Sequence, residues 1–232
     1  MNLNQKDTAL LVFSLSAEKE IERKYFFDKN SREENTTFFN ILIEQTRKLA
    51  MQSGIDVFWI DERQQTGGCF SSRFTNAFQK LFDAGYKNVV SIGNDCPDLS
   101  VRLLQEAIQK LSTKKLVIGP SRDGGFYLLG INRDVFDKKV FLQLPWQTSN
   151  LKKVLKNYVD SQKIKFDVLC ELTDIDSRKD ARYYAKNNSR TVLSRYLRAI
   201  IASVKNDFPI SHDFIPSSNR YSYVGLRAPP TV

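Results

Sequence analysis

The chain has 232 residues, 41% of them hydrophobic and 26% charged, with a formal net charge of +9. That is enough chain for one large α/β domain, and no apolar run approaches the eighteen or so residues of a membrane span. A single histidine, His212, and three scattered cysteines, Cys69, Cys96 and Cys170, argue against Ser-His-Asp or Cys-His catalysis, multi-histidine metal sites and a disulfide framework. The opening stretch MNLNQKDTALLVFSLS has no basic leader and only a short apolar run. The expectation is a cytoplasmic protein.

In chain order, residues 8–15, within DTALLVFSL, read as a first strand. Residues 16–35 are strongly polar and read as a loop that admits a short helix. Helical spacing of Phe38, Phe39, Leu42, Ile43, Leu49 and Ala50 predicts a helix over 36–53, stopped at Ser53-Gly54. IDVFWI at 55–60 is a second strand, followed by a glycine-bearing loop. A helix over 70–83 has Phe74, Ala77, Phe78, Leu81 and Phe82 on one side. NVVSIG at 88–93 is a third strand, Ser100 opens a helix over 100–111, and KLVIG at 115–119 is a fourth strand.

The next strand, FYLLGI at 126–131, follows too closely for a crossover helix and is predicted to run antiparallel. A helix near 147–160, a strand near 164–169 and helices over 177–187 and 189–205 complete the pattern. The expected fold is α/β, a three-layer, mainly parallel sheet with an antiparallel insertion. It is expected as one domain over 1–205, with an irregular tail over 206–232.

Ligands of open α/β sheets bind beyond the carboxyl ends of the strands. Asp95 and Asp98 follow the third strand, Arg122, Asp123, Gly124 and Gly125 follow the fourth, and Asp174 and Asp176 follow the last. Parallel strands bring these loops to one edge. Converging carboxylates repel, and a divalent cation such as magnesium, held by one or two carboxylates, relieves that repulsion. Each residue also has an ordinary reading. Asp98 or Ser100 suits a helix cap, Asp123-Gly124 a tight turn, and Asp176 an N-cap. No P-loop and no G-x-G-x-x-G after the first strand is present.

The segments GNDCPDLS, VIGPSRDGGFYLLG, PWQTS and LTDIDSRKDA, spread over Gln64 to Ala181, resemble in order and spacing the small bacterial GT-A-like transferases of uncertain substrate. These are relatives of the molybdenum-cofactor guanylyltransferase and phospholactate guanylyltransferase group. The resemblance implies a nucleotide-diphospho-sugar transferase fold. It places the metal-binding aspartate on Asp95, the acceptor or sugar side of the pocket on Asp123, Gly124 and Gly125, and a second metal ligand on Asp176. Gln65, Gly68 and Arg73 fall where the family carries a glutamine, glycines and an arginine. The family's first loop, of the type Pro-Gly-x-x-Lys-Thr-Arg-Leu, is replaced by VFSLSAEKEIERKYF, and no glycine or proline occurs from 11 to 53.

The expected function is a transferase dependent on Mg2+ or Mn2+ that uses a nucleotide-activated donor, most simply a nucleoside diphosphate sugar, with an unspecified acceptor. Arg73 and Arg122 are expected to contact phosphate, Asp123 to orient or deprotonate the acceptor, and Trp146 to stack on a sugar or base. The alternatives are nucleotidyl transfer with release of pyrophosphate, and a degenerate binding module. Residues 178–232 carry ten Lys/Arg against three Asp/Glu. That excess reads as a solvated helix face and tail, or as a dock for an acidic partner.

Overall fold

The computed structural model describes residues 7–24, 26–27 and 31–206. The predicted tail lies outside these residues. The strands are β1 (Thr8–Phe13), β2 (Asp56–Ile60), β3 (Asn88–Ile92), β4 (Leu116–Pro120), β5 (Phe126–Asn132) and β6 (Phe166–Val168). The helices are α1 (Ala17–Arg23), α2 (Arg32–Met51), α3 (Phe70–Asp83), α4 (Val101–Lys110), α5 (Lys138–Gln143), α6 (Leu151–Ser161), α7 (Arg178–Asn187) and α8 (Val192–Asn206). None is long and apolar enough to cross a membrane.

One sheet holds the strands in the order β2-β1-β3-β5-β4-β6. β1 pairs in parallel with β2 and β3, and β4 in parallel with β6. β5 runs antiparallel to both of its neighbours, as its short connection to β4 predicted. Successive side chains of a strand face opposite sides, so β1 feeds two cores at once. Ala9 and Leu11 join Phe74, Phe78, Phe141, Leu151 and Leu155 from α3, α5 and α6. Leu10 and Val12 join Ala50 of α2 and Leu104, Ala107 and Ile108 of α4 on the other side. The result is the expected three-layer arrangement.

A third apolar cluster lies outside the sheet, where Ile21, Phe38, Phe39 and Leu42 meet Ile175, Tyr184, Leu193 and Leu197. It ties α1 and α2, from the start of the chain, to α7 and α8. Part of the basic surplus is used within this unit. Arg198 donates through Nε to the carbonyl of Ala185 (2.7 Å) and through a terminal nitrogen to that of Asn188 (2.9 Å), which satisfies carbonyls at the end of α7.

The chain leaves β1 for α2 on one face and leaves β2 for α3 on the other. The strand order therefore reverses between β1 and β3, the place where an open α/β sheet parts to admit a ligand. Ser14 and Leu15 beyond β1, and Gly93, Asn94 and Asp95 beyond β3, line one cleft there.

Candidate active site

β3 is buried along its whole length and stops at Gly93. A Cβ at Gly93 would stand 2.8 Å from Oδ1 of Asp95, so only glycine lets that carboxylate fold back against the strand end. Ile175 donates its backbone N–H to the carbonyl of Asp95 at 2.8 Å. This bond sets the loop carrying Asp174 and Asp176 against the loop after β3. The capping roles go to other residues. Ser100 Oγ accepts from the N–H of Leu103 and caps α4, and Ser177 caps α7 by accepting from Asp180. Neither Asp98 nor Asp176 is used as a cap.

The contact between Ile175 and Asp95 brings the carboxylates close enough for Asp176 to act on Asp95, and for Asp95 and Asp176 to act on Asp174. Burial, followed by the charge of Asp176, pushes the Asp95 carboxyl up to about 7, although Lys24 opposes the shift. Burial, with Asp95, Asp176 and Asp123 nearby, holds the Asp174 carboxyl well above the ordinary carboxylate range. Glu20 is raised too, by its own burial above all. Burial disfavours the charged form and a like charge adds to that.

The unexpected member of the group is Lys24, at the C-terminal end of α1. Its ammonium donates to Oδ1 of Asp176, and both side chains are only 16% exposed. Burial works against its charge, but Asp176, Asp95 and Glu20 outweigh burial and hold Lys24 above the ordinary lysine range. Asp176, expected as a metal ligand, is thus engaged by a lysine and is absent from the cleft lining, whereas Asp174 lines the cleft.

The remaining expected residues divide. Asp123 lines the cleft. Its Oδ1 accepts from Ser121 Oγ and from the N–H of Gly125 (2.9 Å), so the carboxylate also locks the β4–β5 turn. Gly124, at φ +94, forms that turn, and a Cβ there would meet the Ser149 carbonyl at 3.0 Å. Gly125 reaches the cleft. Arg122 does not. It is exposed, and its N–H goes to the carbonyl of Leu172, because the turn points its side chain away.

Gln65 lines the cleft, but its amide donates to the carbonyls of Ser14 (2.8 Å) and Ile60 (3.3 Å) and pins the ends of β1 and β2. Trp146 lines the cleft with Phe13, Phe70 and Phe74. It packs edge-on to Phe74 at 5.0 Å and donates its indole N–H to the carbonyl of Phe141. It serves as a core residue and a cleft wall together.

Gly68, expected at the nucleotide, is absent from the cleft lining. Gly68 has no atom within 4 Å of a would-be Cβ, whereas Gly67, at φ +134, would place one 2.3 Å from Ser72 Oγ and 2.9 Å from the Arg73 nitrogen. Gly67→Ala is therefore expected to destabilise the protein by about 1–3 kcal/mol through backbone strain. Gly68→Ala is expected to stay within about 0.5 kcal/mol of wild type. Urea unfolding of the two variants checks the contrast.

Sequence reasoning missed Ser14, Glu20 and Asn94, and placed Lys24, with Lys19 and Arg23, only as a source of charge in the stretch that replaces the first loop. The strand-end position of Ser14 and Asn94 was a usable signal. Among the described residues, seven have a buried side-chain polar atom with no hydrogen-bond partner, and five of them line this cleft: Ser14 Oγ, Glu20 Oε2, Arg73 Nε, Asn94 Nδ2 and Asp174 Oδ1. Buried polar groups are nearly always paired, so such a concentration calls for a polar occupant.

No three His, Cys, Asp or Glu side chains among the described residues are placed to hold one ion. The pair Asp95 and Asp174, with the bare Oδ1 of Asp174, does fit a hard divalent cation of the kind that completes its shell with water and phosphate oxygens.

Residues 40–148 match the family described as "Uncharacterized protein conserved in bacteria (DUF2064)". No curated protein matches the chain. The fold is similar to that of a candidate nucleotide-diphospho-sugar transferase from Desulfovibrio desulfuricans G20, with 22% identity and a TM-score of 0.75 over 87% of this chain and 98% of that one. It is also similar to the 4-diphosphocytidyl-2C-methyl-D-erythritolsynthase of Anaerococcus prevotii DSM 20548, with 9% identity and a TM-score of 0.52 over 84% of this chain and 98% of that one. The chain has the nucleotide-diphospho-sugar transferase fold that its motifs resemble.

Proposed function

We propose that the cleft binds a nucleotide-activated donor, most simply a nucleoside diphosphate sugar, and transfers its sugar to an acceptor. The observation that carries this reading is the set of five unpartnered buried polar atoms at the point where the strand order reverses. The lining changes character along its length, from carboxylates beside Asp95 and Asp174 to the aromatic wall of Phe13, Phe70, Phe74 and Trp146. A flat base or sugar suits the second part and a diphosphate bridged to a cation suits the first.

In this reading Asp95 and Asp174 hold Mg2+ or Mn2+, which when bound neutralises charge on the leaving diphosphate. Arg73 turns its unpartnered Nε on phosphate oxygens. The amide of Asn94 donates to the donor, and Ser14 and Glu20 offer it acceptors. Asp123, exposed at the rim and anchored through Oδ1, orients the acceptor hydroxyl or takes its proton. The tight phosphate cradle of the resembled family is missing from the first loop, so side chains carry the phosphate contacts here.

Isothermal titration with nucleoside diphosphates in the presence of Mn2+ tests the reading. Wild type is expected to bind one of them, and Asp95→Ala to bind it at least about tenfold more weakly. Absence of binding to wild type across the four bases, or unchanged binding in Asp95→Ala, sinks it. Pyrophosphate release from a triphosphate would move the reaction to nucleotidyl transfer at the same site.

A further inference from the structure

Lys24 sits among the carboxylates that the proposed cation needs. It lies in the stretch that replaces the first loop of the resembled family, and before the part of the chain, residues 40–148, that matches the family. Its one positive charge meets Asp176 directly and acts on Asp95 and Glu20 as well. It leaves three buried polar atoms of the group without a hydrogen-bond partner. Glu20 is 7% exposed with Oε2 unpartnered, Asn94 is 6% exposed with Nδ2 unpartnered, and Asp174 Oδ1 is unpartnered, all at the cleft. The site is thus only partly neutralised by its own chain and remains open to a second, stronger cation.

Two cations drawn to one set of carboxylates repel each other, and in a buried setting they do so strongly. The ammonium and a divalent ion therefore bind at each other's expense, and the effect is reciprocal. Resting on the reading above, we propose that Lys24 is an internal competitor for the divalent cation: its ammonium stabilises the carboxylate group in the metal-free protein and weakens metal binding there. Loading of the ion then depends on a donor whose phosphates supply extra negative charge for both cations. The device keeps the group folded and hydrogen-bonded when no substrate is present.

The test titrates Mn2+ alone into the full chain and follows the free ion by electron paramagnetic resonance. Lys24→Gln keeps a hydrogen-bond donor for Asp176 and is expected to bind one Mn2+ at least about tenfold more tightly than wild type. Lys24→Arg, which keeps the charge, is expected to stay near wild type. Lys24→Met carries the same expectation as Lys24→Gln and serves if the glutamine variant does not fold. Adding Asp174→Asn to the tighter variant is expected to remove the gain.

Equal or weaker Mn2+ binding in the uncharged variants overturns the competition while leaving the proposed metal site standing. A gain that survives Asp174→Asn places the ion elsewhere and also overturns it. No binding to any of the proteins at millimolar Mn2+ overturns both the competition and the metal requirement of the proposed function.

Discussion

In chelator at pH 8, Asp95→Asn is expected to be more stable than wild type by on the order of 2 kcal/mol. The Asp95 carboxyl is pushed up to about 7 by burial and by Asp176. The folded state therefore holds a proton more tightly than the unfolded state does. Above about pH 7 the folded protein carries the full penalty of a buried charge. As pH falls from 7 toward 4 the native carboxylate takes up its proton, the penalty disappears, and wild type gains stability. Asparagine never carries that charge, so its advantage is complete at pH 8 and fades by about pH 4 to 5.

Urea unfolding at the two pH values reads this directly. Destabilisation at pH 8 would mean that Asp95 acts chiefly as a structural partner of Lys24. Under the proposed function the same variant is expected to lose at least about a hundredfold in activity, since it removes one of the two proposed ligands of the cation that neutralises the leaving diphosphate. A substitution that strengthens the fold while disabling the cleft marks a residue retained for use rather than for stability.

Gly119→Ala is expected to cost roughly 3 kcal/mol or to prevent folding, because overpacking a rigid core is costly. A Cβ at this position would stand 2.5 Å from the ring of Tyr127 and 2.9 Å from the Leu128 Cβ. The Tyr127 ring has little room to retreat. It is almost fully buried, and its hydroxyl donates to the carbonyl of Cys170 at 2.9 Å. In a Tyr127→Ala background the ring clash is gone and the 2.9 Å approach to the Leu128 Cβ remains, so the cost of Gly119→Ala is expected to fall below its value in wild type without vanishing. A double-mutant cycle by denaturant unfolding measures the coupling. Additive effects would show that the backbone, and not the ring, opposes the methyl.

Much of the fold was legible because the apolar spacing is regular. The α3 boundaries follow directly from Phe74, Ala77, Phe78, Leu81 and Phe82, all buried. The antiparallel direction of β5 follows from the length of one loop. α5 was not legible, since KKVFLQ is six residues with a single buried side chain, Phe141, and offers no period to count. α2 begins at Arg32, ahead of the predicted start at 36, because its first turn is polar apart from the role of Asn35. That residue is buried and accepts from the N–H groups of Phe26 and Phe27.

The candidate site divides in the same way. Asp95 was visible as an acidic residue just beyond a buried strand, and Asp174 as one in the connection that follows the last strand. Glu20 and Lys24 lie in AEKEIER and its next residue, part of the polar stretch that reads as a loop admitting a short helix. The helix that carries them packs through Ala17 and Ile21 against Ile175, Leu193 and Leu197, a contact no local window contains. Arg122 and Gly68, both expected at the nucleotide, lie outside the cleft lining for a simpler reason. Which way a turn aims its side chains depends on backbone dihedrals that composition does not reveal.

The pairing of Lys24 with Asp176 joins positions 152 residues apart. Closing so long a loop is among the slower steps a chain takes. During synthesis Glu20 and Lys24 emerge early and Asp95 later, while their last counterpart waits for β6 to leave the ribosome. A nascent chain ending at β5 holds an incomplete and mismatched set of charges. The candidate site is therefore the part of this molecule assembled last, and a truncated product, however well its first strands pair, is born without it.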